Sequence, residues 1–167
     1  MIKIFTIGYE GASLADFVVT LTSVGVEIVV DVRDLPQSRR PGFSKKPLTL
    51  ALAEANIAYQ HMKQLGDPKP GRDAARAGQM DTFRSIFTAH MERPASLEQL
   101  RELAALVETK SAVLLCYERN PCDCHRKLLC DGLHKLGSFQ VEHLGVRPRA
   151  RGERIDVVGT IRHAGAR

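Results

Sequence analysis

The chain has 167 residues and a mass of 18.5 kDa, which is the size of one domain and excludes two full ones. Its 44% hydrophobic and 26% charged residues are ordinary for a soluble globular protein, and the absence of any apolar run near ~18 residues excludes a predicted membrane span. The net charge of +5 is concentrated in residues 33–46 and 147–167, each with a local +4, so the remainder carries −3 and an anionic partner is indicated.

Strand and helix patterns alternate in the first part of the chain. Ser13 begins a capping box, and Gly25 is a typical helix end. A β-branched apolar run that ends in Asp31 is typical of a strand buried on both faces. The predicted elements are, in order, a strand over 3–8, a helix over 14–24, a strand over 26–32, a Pro-rich basic loop over 35–47 and a helix over 48–58.

The alternation continues in the second part. Gly and Pro residues indicate a loop, and Asn120-Pro121 predicts a turn before a helix capped by Asp123. The elements predicted here are a strand over 59–65, a loop over 66–71, a helix over 73–91 interrupted by Arg93-Pro94, a helix over 97–108 capped by Ser96, a strand over 111–117, a helix over 124–136 and a short strand over 139–144.

This order predicts an α/β fold with a mainly parallel sheet and flanking helices, in Rossmann-like layers. We expect one domain over residues 1–146, followed by a basic tail over 147–167 that is either loose or contributes an edge strand near Ile155–Ile161. Ligands of such sheets bind beyond the carboxyl ends of the strands. That rule gathers the residues after the first, second and last strong strands, which are residues 8–10, 31–33 and 116–126.

The segment from Cys116 to Arg126 contains most of the candidate catalytic side chains. Cys116 ends a strand and Glu118 follows it, whereas Cys124, His125 and Arg126 are predicted in the first turn of the next helix. Free backbone N–H groups and the helix dipole make that turn suitable for an anion, and they lower the pKa of a nearby thiol. The segment therefore resembles the surroundings of a cysteine nucleophile that acts on an oxyanion or a sulfur donor.

Structural interpretations compete with the catalytic one. Cys116 can be a small buried hydrophobic residue at a strand end, and His125 can pack on the apolar side of its helix. Cys130 lies in the middle of a helix and is interpreted as structural, whereas Cys122 is a loop thiol without an assigned use.

Metal binding is a further alternative, because Cys116, Cys122, Cys124 and His125 are zinc-type ligands. Two observations count against it. Cys124 and His125 are adjacent, and neighbouring helical residues diverge by about 100°. The chain also lacks a second Cys pair with the usual spacing. We therefore predict no metal ligands and no cofactor.

A second group of polar residues is expected at the same sheet edge. Asp31 and Arg33 would point to one face of their strand, either to orient a ligand or as a structural ion pair. The basic loop adds hydroxyl, cationic and aromatic groups that suit a phosphate ester or nucleotide. The residues predicted to bind the ligand are Gly8, Tyr9, Asp31, Arg33, Ser38, Arg39, Phe43 and Arg126.

Several of these motifs together resemble the family called domain of unknown function 488. The matching pieces are Thr6-Ile7-Gly8-Tyr9, Asp31-Val32-Arg33, Ser38-Arg39 followed by Phe43, Leu65-Gly66, and Cys116-x-Glu118 leading to Cys124-His125-Arg126, over about residues 4–145. The family often has His-Ser where this chain has Tyr9-Glu10. The resemblance implies an α/β fold and a cytoplasmic protein, and it implies no particular activity.

The Asp-Val-Arg strand end and the Cys at a later strand end are also loosely similar to rhodanese-type domains. Here, however, ten positions separate Cys116 from Arg126, and Pro121 removes one backbone donor from the loop. The segment also departs from the Cys-x₅-Arg spacing of tyrosine phosphatases. Sulfur transfer and phosphatase activity therefore rest on analogy alone.

Our leading hypothesis is a small cytoplasmic enzyme, a thiol-dependent hydrolase or transferase that acts on a phosphate- or nucleotide-like substrate. Cys116 or Cys124 would be the nucleophile, Glu118 or His125 the acid and base, and Arg33, Arg39 and Arg126 the anion-holding groups. The alternative is a non-catalytic module that binds nucleic acid or nucleotides through the basic loop and the tail. The partner is a small anionic ligand in the first case, no membrane partner is expected, and the oligomeric state is left open.

The cytoplasmic expectation has two grounds. The N-terminus has a strand pattern without the layout of a signal peptide. The four Cys lie within 15 residues instead of being spread as in a disulfide framework, which is typical of a reducing compartment.

Overall fold

The structure of the protein is a computed structural model that describes residues 1–148 and the backbone of residues 154–155 and 161–162. Its helices are α1 (Leu14–Ser23), α2 (Lys45–Glu54), α3 (Lys69–Arg76), α4 (Met80–Met91), α5 (Pro94–Thr109) and α6 (His125–His134), with short 3₁₀ turns at Lys63–Leu65 and Pro121–Asp123. Its strands are β1 (Ile2–Gly8), β2 (Ile28–Asp31), β3 (Ala58–His61), β4 (Ala112–Cys116), β5 (Phe139–Leu144), β6 (Arg154–Ile155) and β7 (Ile161–Arg162).

Five parallel strands form one sheet in the order β3-β2-β4-β1-β5. Gly8 pairs with Cys116 across β1 and β4, and Asp31 pairs with Leu115 across β2 and β4. The ends of these three central strands therefore meet at one edge. The predicted α/β fold with a parallel sheet and flanking helices is confirmed.

The central strands β2 and β4 are buried on both faces of the sheet, which accounts for their continuous apolar runs. Side chains of alternate residues point to opposite faces, so each strand contributes to two cores. One core contains Val29, Val113 and Leu115 with residues of α1 and α2. The other contains Val30 and Leu114 with residues of α3 to α6.

The first predicted helix agrees with the structure. Ser13 is the N-cap of α1, and its hydroxyl accepts a hydrogen bond of 3.1 Å from the backbone N–H of Asp16. Gly25 follows the helix with a φ of +72°, in the left-handed region that favours glycine.

Prolines caused the main errors in the predicted helix limits. The stretch expected as a loop over 66–71 contains the start of α3, and the helix expected over 73–91 is two helices separated near Gly78, whose φ is +74°. Similarly, Pro94 begins α5 instead of interrupting a helix, and Ser96 is buried within its first turn. Proline suits this position because the first turn leaves its N–H groups unbonded in any case.

Other element limits also differ. The helix expected over 48–58 ends at Glu54, and the strand expected over 59–65 is β3 followed by a 3₁₀ turn. Asp123 lies in a 3₁₀ turn, and Cys124 is the N-cap of α6.

The predicted tail lies mostly outside the described residues. Of the stretch expected as an edge strand, the structure describes the backbone of β6 and β7, which pair antiparallel with each other as a separate two-stranded sheet.

Candidate functional site

Two thiols and an imidazole meet at the carboxyl edge of the sheet. The Sγ atoms of Cys116 and Cys124 lie 3.7 Å and 3.6 Å from Nδ1 of His125, and all three side chains are buried. Cys116 is the last residue of β4, whereas the other two residues begin α6. The structure therefore brings together three of the four residues that the sequence suggested as catalytic, and the fourth, Glu118, lies beside Cys116.

The backbone at the start of α6 explains how adjacent residues reach one point. Cys124 is the N-cap, with extended φ and ψ angles of −133° and 151°, and His125 is the first helical residue. The divergence of about 100° applies only when both residues are helical. The sequence argument against a shared ligand site was wrong for this reason.

A backbone carbonyl determines which nitrogen of His125 faces the thiols. Nε2 lies 2.7 Å from the carbonyl oxygen of Val32, which can only accept, so Nε2 carries the proton and donates it. In the neutral ring Nδ1 is then an unprotonated acceptor directed at both sulfurs. Phe87 packs on the ring with centroids 5.3 Å apart, which further holds its orientation.

The two thiols differ in their proton affinity. Cys124 and burial raise the pKa of Cys116 well above its ordinary value. Burial alone would raise the pKa of Cys124 as well, but the Cys116 hydrogen bond and the charges of His125 and Arg126 lower it well below the ordinary value. Burial opposes protonation of His125, yet the adjacent Cys124 raises the pKa of the imidazole. These opposite shifts favour transfer of the Cys124 proton to His125.

Glu118 borders the cluster on the Cys116 side. The Cys116 thiol can donate to its Oε2 at 3.0 Å or to the Cys124 sulfur, but a single S–H group serves only one acceptor at a time. Burial and the Cys124 charge raise the pKa of the Glu118 carboxyl. The carboxyl is therefore placed to orient the Cys116 thiol.

Arg126 and Gly8 shape the loop between Cys116 and α6. Arg126 is fully buried, and its guanidinium donates to the carbonyl oxygen of Glu118 and faces Thr6 Oγ1 at 3.5 Å. A Cβ at Gly8 would lie 1.8 Å from that same carbonyl oxygen, so only glycine permits this approach. Both residues thus fix the loop, and Arg126 Nε has no hydrogen-bond partner among the described residues.

Sequence reasoning missed Asp67. This side chain is 6% exposed, and its Oδ1 has no hydrogen-bond partner among the described residues. Burial raises its pKa to about 7, opposed by the charge of His125. Oδ1 packs on Gly71, where a Cβ would approach it to 2.0 Å. The signal available was a lone Asp after Leu65-Gly66, which by itself resembles an ordinary loop residue.

The second predicted group lies on the other face of the sheet, with α1 and α2. Arg33 is buried and donates to both carboxylate oxygens of Asp31 at 2.8 Å and 2.6 Å. It also donates to Tyr9 Oη at 3.1 Å and to the Phe43 carbonyl oxygen at 2.8 Å. Tyr9 and Phe43 stack with ring centroids 4.4 Å apart. These four residues form one packed network, separated by the sheet from the Cys116 cluster.

The basic loop presents fewer free cations than its sequence suggests. Arg40 donates to the carbonyl oxygen of Ala12 and Ser38 accepts from the backbone of Arg40, whereas Arg39 is exposed. The structure does not bring Arg39 to the Cys116 cluster through any described contact.

The remaining thiols fall where they were expected. Cys130 is buried in the middle of α6, and burial raises its pKa to about 12. Cys122 is exposed in the loop before the helix.

Among the described residues, Cys116, Cys124 and His125 are also the group whose donor atoms could hold a metal ion together, since the three atoms lie within 4.8 Å of one another.

One comparison with known proteins gave a match. The profile of the family described as Domain of unknown function DUF488 matches residues 13–133, which is most of the chain. No curated protein and no solved structure matches the chain, so the likeness to rhodanese-type domains stays a prediction. None of the helices in the described part combines the length and apolarity needed to cross a bilayer.

Proposed function

The chain belongs to the family Domain of unknown function DUF488, and from the geometry of its Cys-His cluster we propose that it is a cysteine-dependent hydrolase or transferase. The observation that carries the proposal is the pair formed by Cys124 Sγ and His125 Nδ1 at 3.6 Å, with Nε2 of the same ring held by the Val32 carbonyl. A thiol beside an oriented imidazole is the usual arrangement of a cysteine nucleophile.

Three features support Cys124 rather than Cys116 as the nucleophile. Cys124 stands at the N-cap of α6, where the helix dipole favours a thiolate. Arg126 adds a positive charge nearby. Cys116, in contrast, donates a hydrogen bond and keeps its proton, so it acts as an orienting partner.

The proposed chemistry is a two-step displacement on a phosphate ester. In the first step the Cys124 thiolate forms the S–P bond while the P–O bond to the leaving group breaks, and the leaving oxygen takes the proton from His125 Nδ1. In the second step water attacks phosphorus and gives a proton back to Nδ1. The S–P bond then breaks, and its electron pair returns to the sulfur.

A phosphate-like substrate is supported by the donors around the thiol. Within residues 1–148 no side-chain hydrogen bond caps α6, so backbone N–H groups of its first turn are left for an anion. Arg126 Nε is a further buried donor that lacks a partner among the described side chains. Arg39 is an exposed cation, and its charge contributes to the attraction of an anionic substrate to the protein.

The nucleophile is tested by alkylation of the native, metal-free protein with iodoacetamide at neutral pH, followed by peptide mass spectrometry. Cys124 and Cys130 are each 3% exposed, so they form a pair matched in burial that differs in neighbouring charges and in position along α6. We expect Cys124 to react at least about tenfold faster, since the thiolate is the reactive form. His125→Gln should slow Cys124 alone.

Cys130 also reports on the fold, because its alkylation accelerates if a variant opens α6. Equal alkylation rates at Cys124 and Cys130 in the native protein would refute the assignment of Cys124 as the nucleophile. Inorganic phosphate tests the substrate class separately, and it should slow alkylation of Cys124 but not of exposed Cys122. If phosphate does not protect Cys124, the proposed substrate class is wrong, whereas the proposal that Cys124 is the nucleophile is unaffected.

A further inference from the structure

We propose that Cys116, Cys124 and His125 also bind a zinc ion, and that this ion reversibly blocks the site by occupying the Cys124 sulfur. The blocking role rests on the proposed function, whereas the binding site stands on its own geometry. Each of the three residues offers one donor atom, and the three atoms lie within 4.8 Å of one another.

The two sulfur–nitrogen distances agree with tetrahedral zinc. Zn–S bonds of ~2.3 Å and Zn–N bonds of ~2.0–2.1 Å at a tetrahedral angle separate sulfur and nitrogen by ~3.5–3.6 Å. The two observed sulfur–nitrogen separations around His125 Nδ1 are 3.6 Å and 3.7 Å. The nitrogen therefore needs almost no movement relative to either sulfur to share an ion with it.

The hydrogen bond of His125 is of the kind that metal-binding histidines make. A histidine that binds a metal through one nitrogen almost always donates the N–H of the other to a carbonyl or carboxylate, which fixes the ring. Here Nε2 donates to the Val32 carbonyl oxygen at 2.7 Å, which leaves Nδ1 for the ion.

Charge favours a divalent ion in this buried position. Two thiolates and a neutral imidazole balance the charge of Zn²⁺, so no net charge is added to a buried cluster. Zinc displaces the Cys116 thiol proton and any proton on Nδ1, both of which pass to solvent.

The donor set selects the kind of metal. Thiolates and imidazole suit zinc, whereas Mg²⁺ and Ca²⁺ require oxygen ligands. Three protein ligands leave one coordination position open, which is typical of sites that exchange a ligand. A bound ion would hold the electron pair of the Cys124 sulfur and prevent its attack on a substrate.

Zinc binding is measured on the full-length reduced protein by competition with a chromogenic chelator. The wild type should take up one equivalent. Cys116→Ser and Cys124→Ser should each lower the affinity by about a hundredfold or more, beyond the loss typical of an outer-shell partner. Cys122→Ser changes an exposed thiol of the same loop and is the matched control, with affinity unchanged.

A second measurement needs no variant, so it remains valid if a substitution disturbs folding. Stoichiometric Zn²⁺, but not Mg²⁺, should slow alkylation of Cys124 in the wild type by about tenfold or more and leave Cys122 unaffected. The site is overturned if the wild type takes no zinc from the chelator, or if Cys122→Ser weakens binding as much as Cys124→Ser does.

The two proposals fail separately. If the protein takes up zinc but Cys124 and Cys130 are alkylated at equal rates without metal, the metal site is supported and the nucleophile proposal is refuted. Fast alkylation of Cys124 that zinc does not slow would keep the nucleophile and overturn the inhibitory site.

Discussion

Replacing Asp67 by Asn is expected to stabilise the protein increasingly as the pH rises. Asp67 is buried, and its Oδ1 has no hydrogen-bond partner among the described residues. Burial raises its pKa from the ordinary 3.8 to about 7. The folded protein therefore holds this proton more tightly than the unfolded chain does, and the contribution to stability is full at low pH and is lost as the pH rises towards 7. Asn does not titrate.

The size of the effect follows from the two pKa values. A difference of about 3 units corresponds to about 4 kcal/mol once both states have ionised. Between about pH 5 and about pH 8 the free energy of unfolding of the wild type should fall by about 2.5 kcal/mol relative to Asp67→Asn. Taking the variant minus the wild type at each pH cancels the other titrating groups.

Urea unfolding at the two pH values, under reducing and metal-free conditions, measures this difference. Asp73→Asn is the control, because Asp73 is an exposed residue of α3 whose pKa is lowered by its hydrogen bond to Lys69. That variant should gain no stability as the pH rises. If the difference between Asp67→Asn and the wild type is the same at both pH values, Asp67 is ionised in the folded protein without a penalty and the reasoning is refuted.

Three further substitutions test the packing around the site by urea unfolding. Arg33→Met should cost about 3–5 kcal/mol because it leaves the buried Asp31 carboxylate uncompensated, and a loss under about 1 kcal/mol would show that the ion pair is dispensable. Gly8→Ala should cost about 1–3 kcal/mol or more, since its Cβ would meet the Glu118 carbonyl oxygen at 1.8 Å, and wild-type stability would contradict that contact. Ser13→Ala should cost about 1 kcal/mol through the lost N-cap of α1, whereas an unchanged midpoint would mean that water replaces the cap.

The residues of the Cys-His cluster could be predicted from the sequence. Cys116 was recognisable as the end of a buried strand, and Cys124 and His125 as the start of the next helix. The rule that ligands bind at the carboxyl ends of parallel strands then placed them together. Their roles could not be predicted, because the pKa ordering of the two thiols depends on which of them lies at the helix N-cap beside the Arg126 charge.

The strand register shows that the predicted site is divided into two clusters on opposite faces of the sheet. Asp31 pairs with Leu115, not with Cys116, so Asp31 and Cys116 point to opposite faces of the sheet. Arg33 and Tyr9 then follow Asp31 to the α1 and α2 side, where their hydrogen bonds are made within the protein. Alternation along one strand was visible in the sequence, but the offset between neighbouring strands was not.

The sequence by itself determined the α/β fold, the order of most elements and the segment that carries the thiols, because hydrophobic periodicity and helix caps are local properties. Only the tertiary structure decided that Asp67 interacts with His125, that the Val32 carbonyl holds His125, and that Cys124 is an extended N-cap. Those facts depend on contacts between residues 58 to 93 positions apart in the chain, and on a backbone angle that a helical pattern does not reveal.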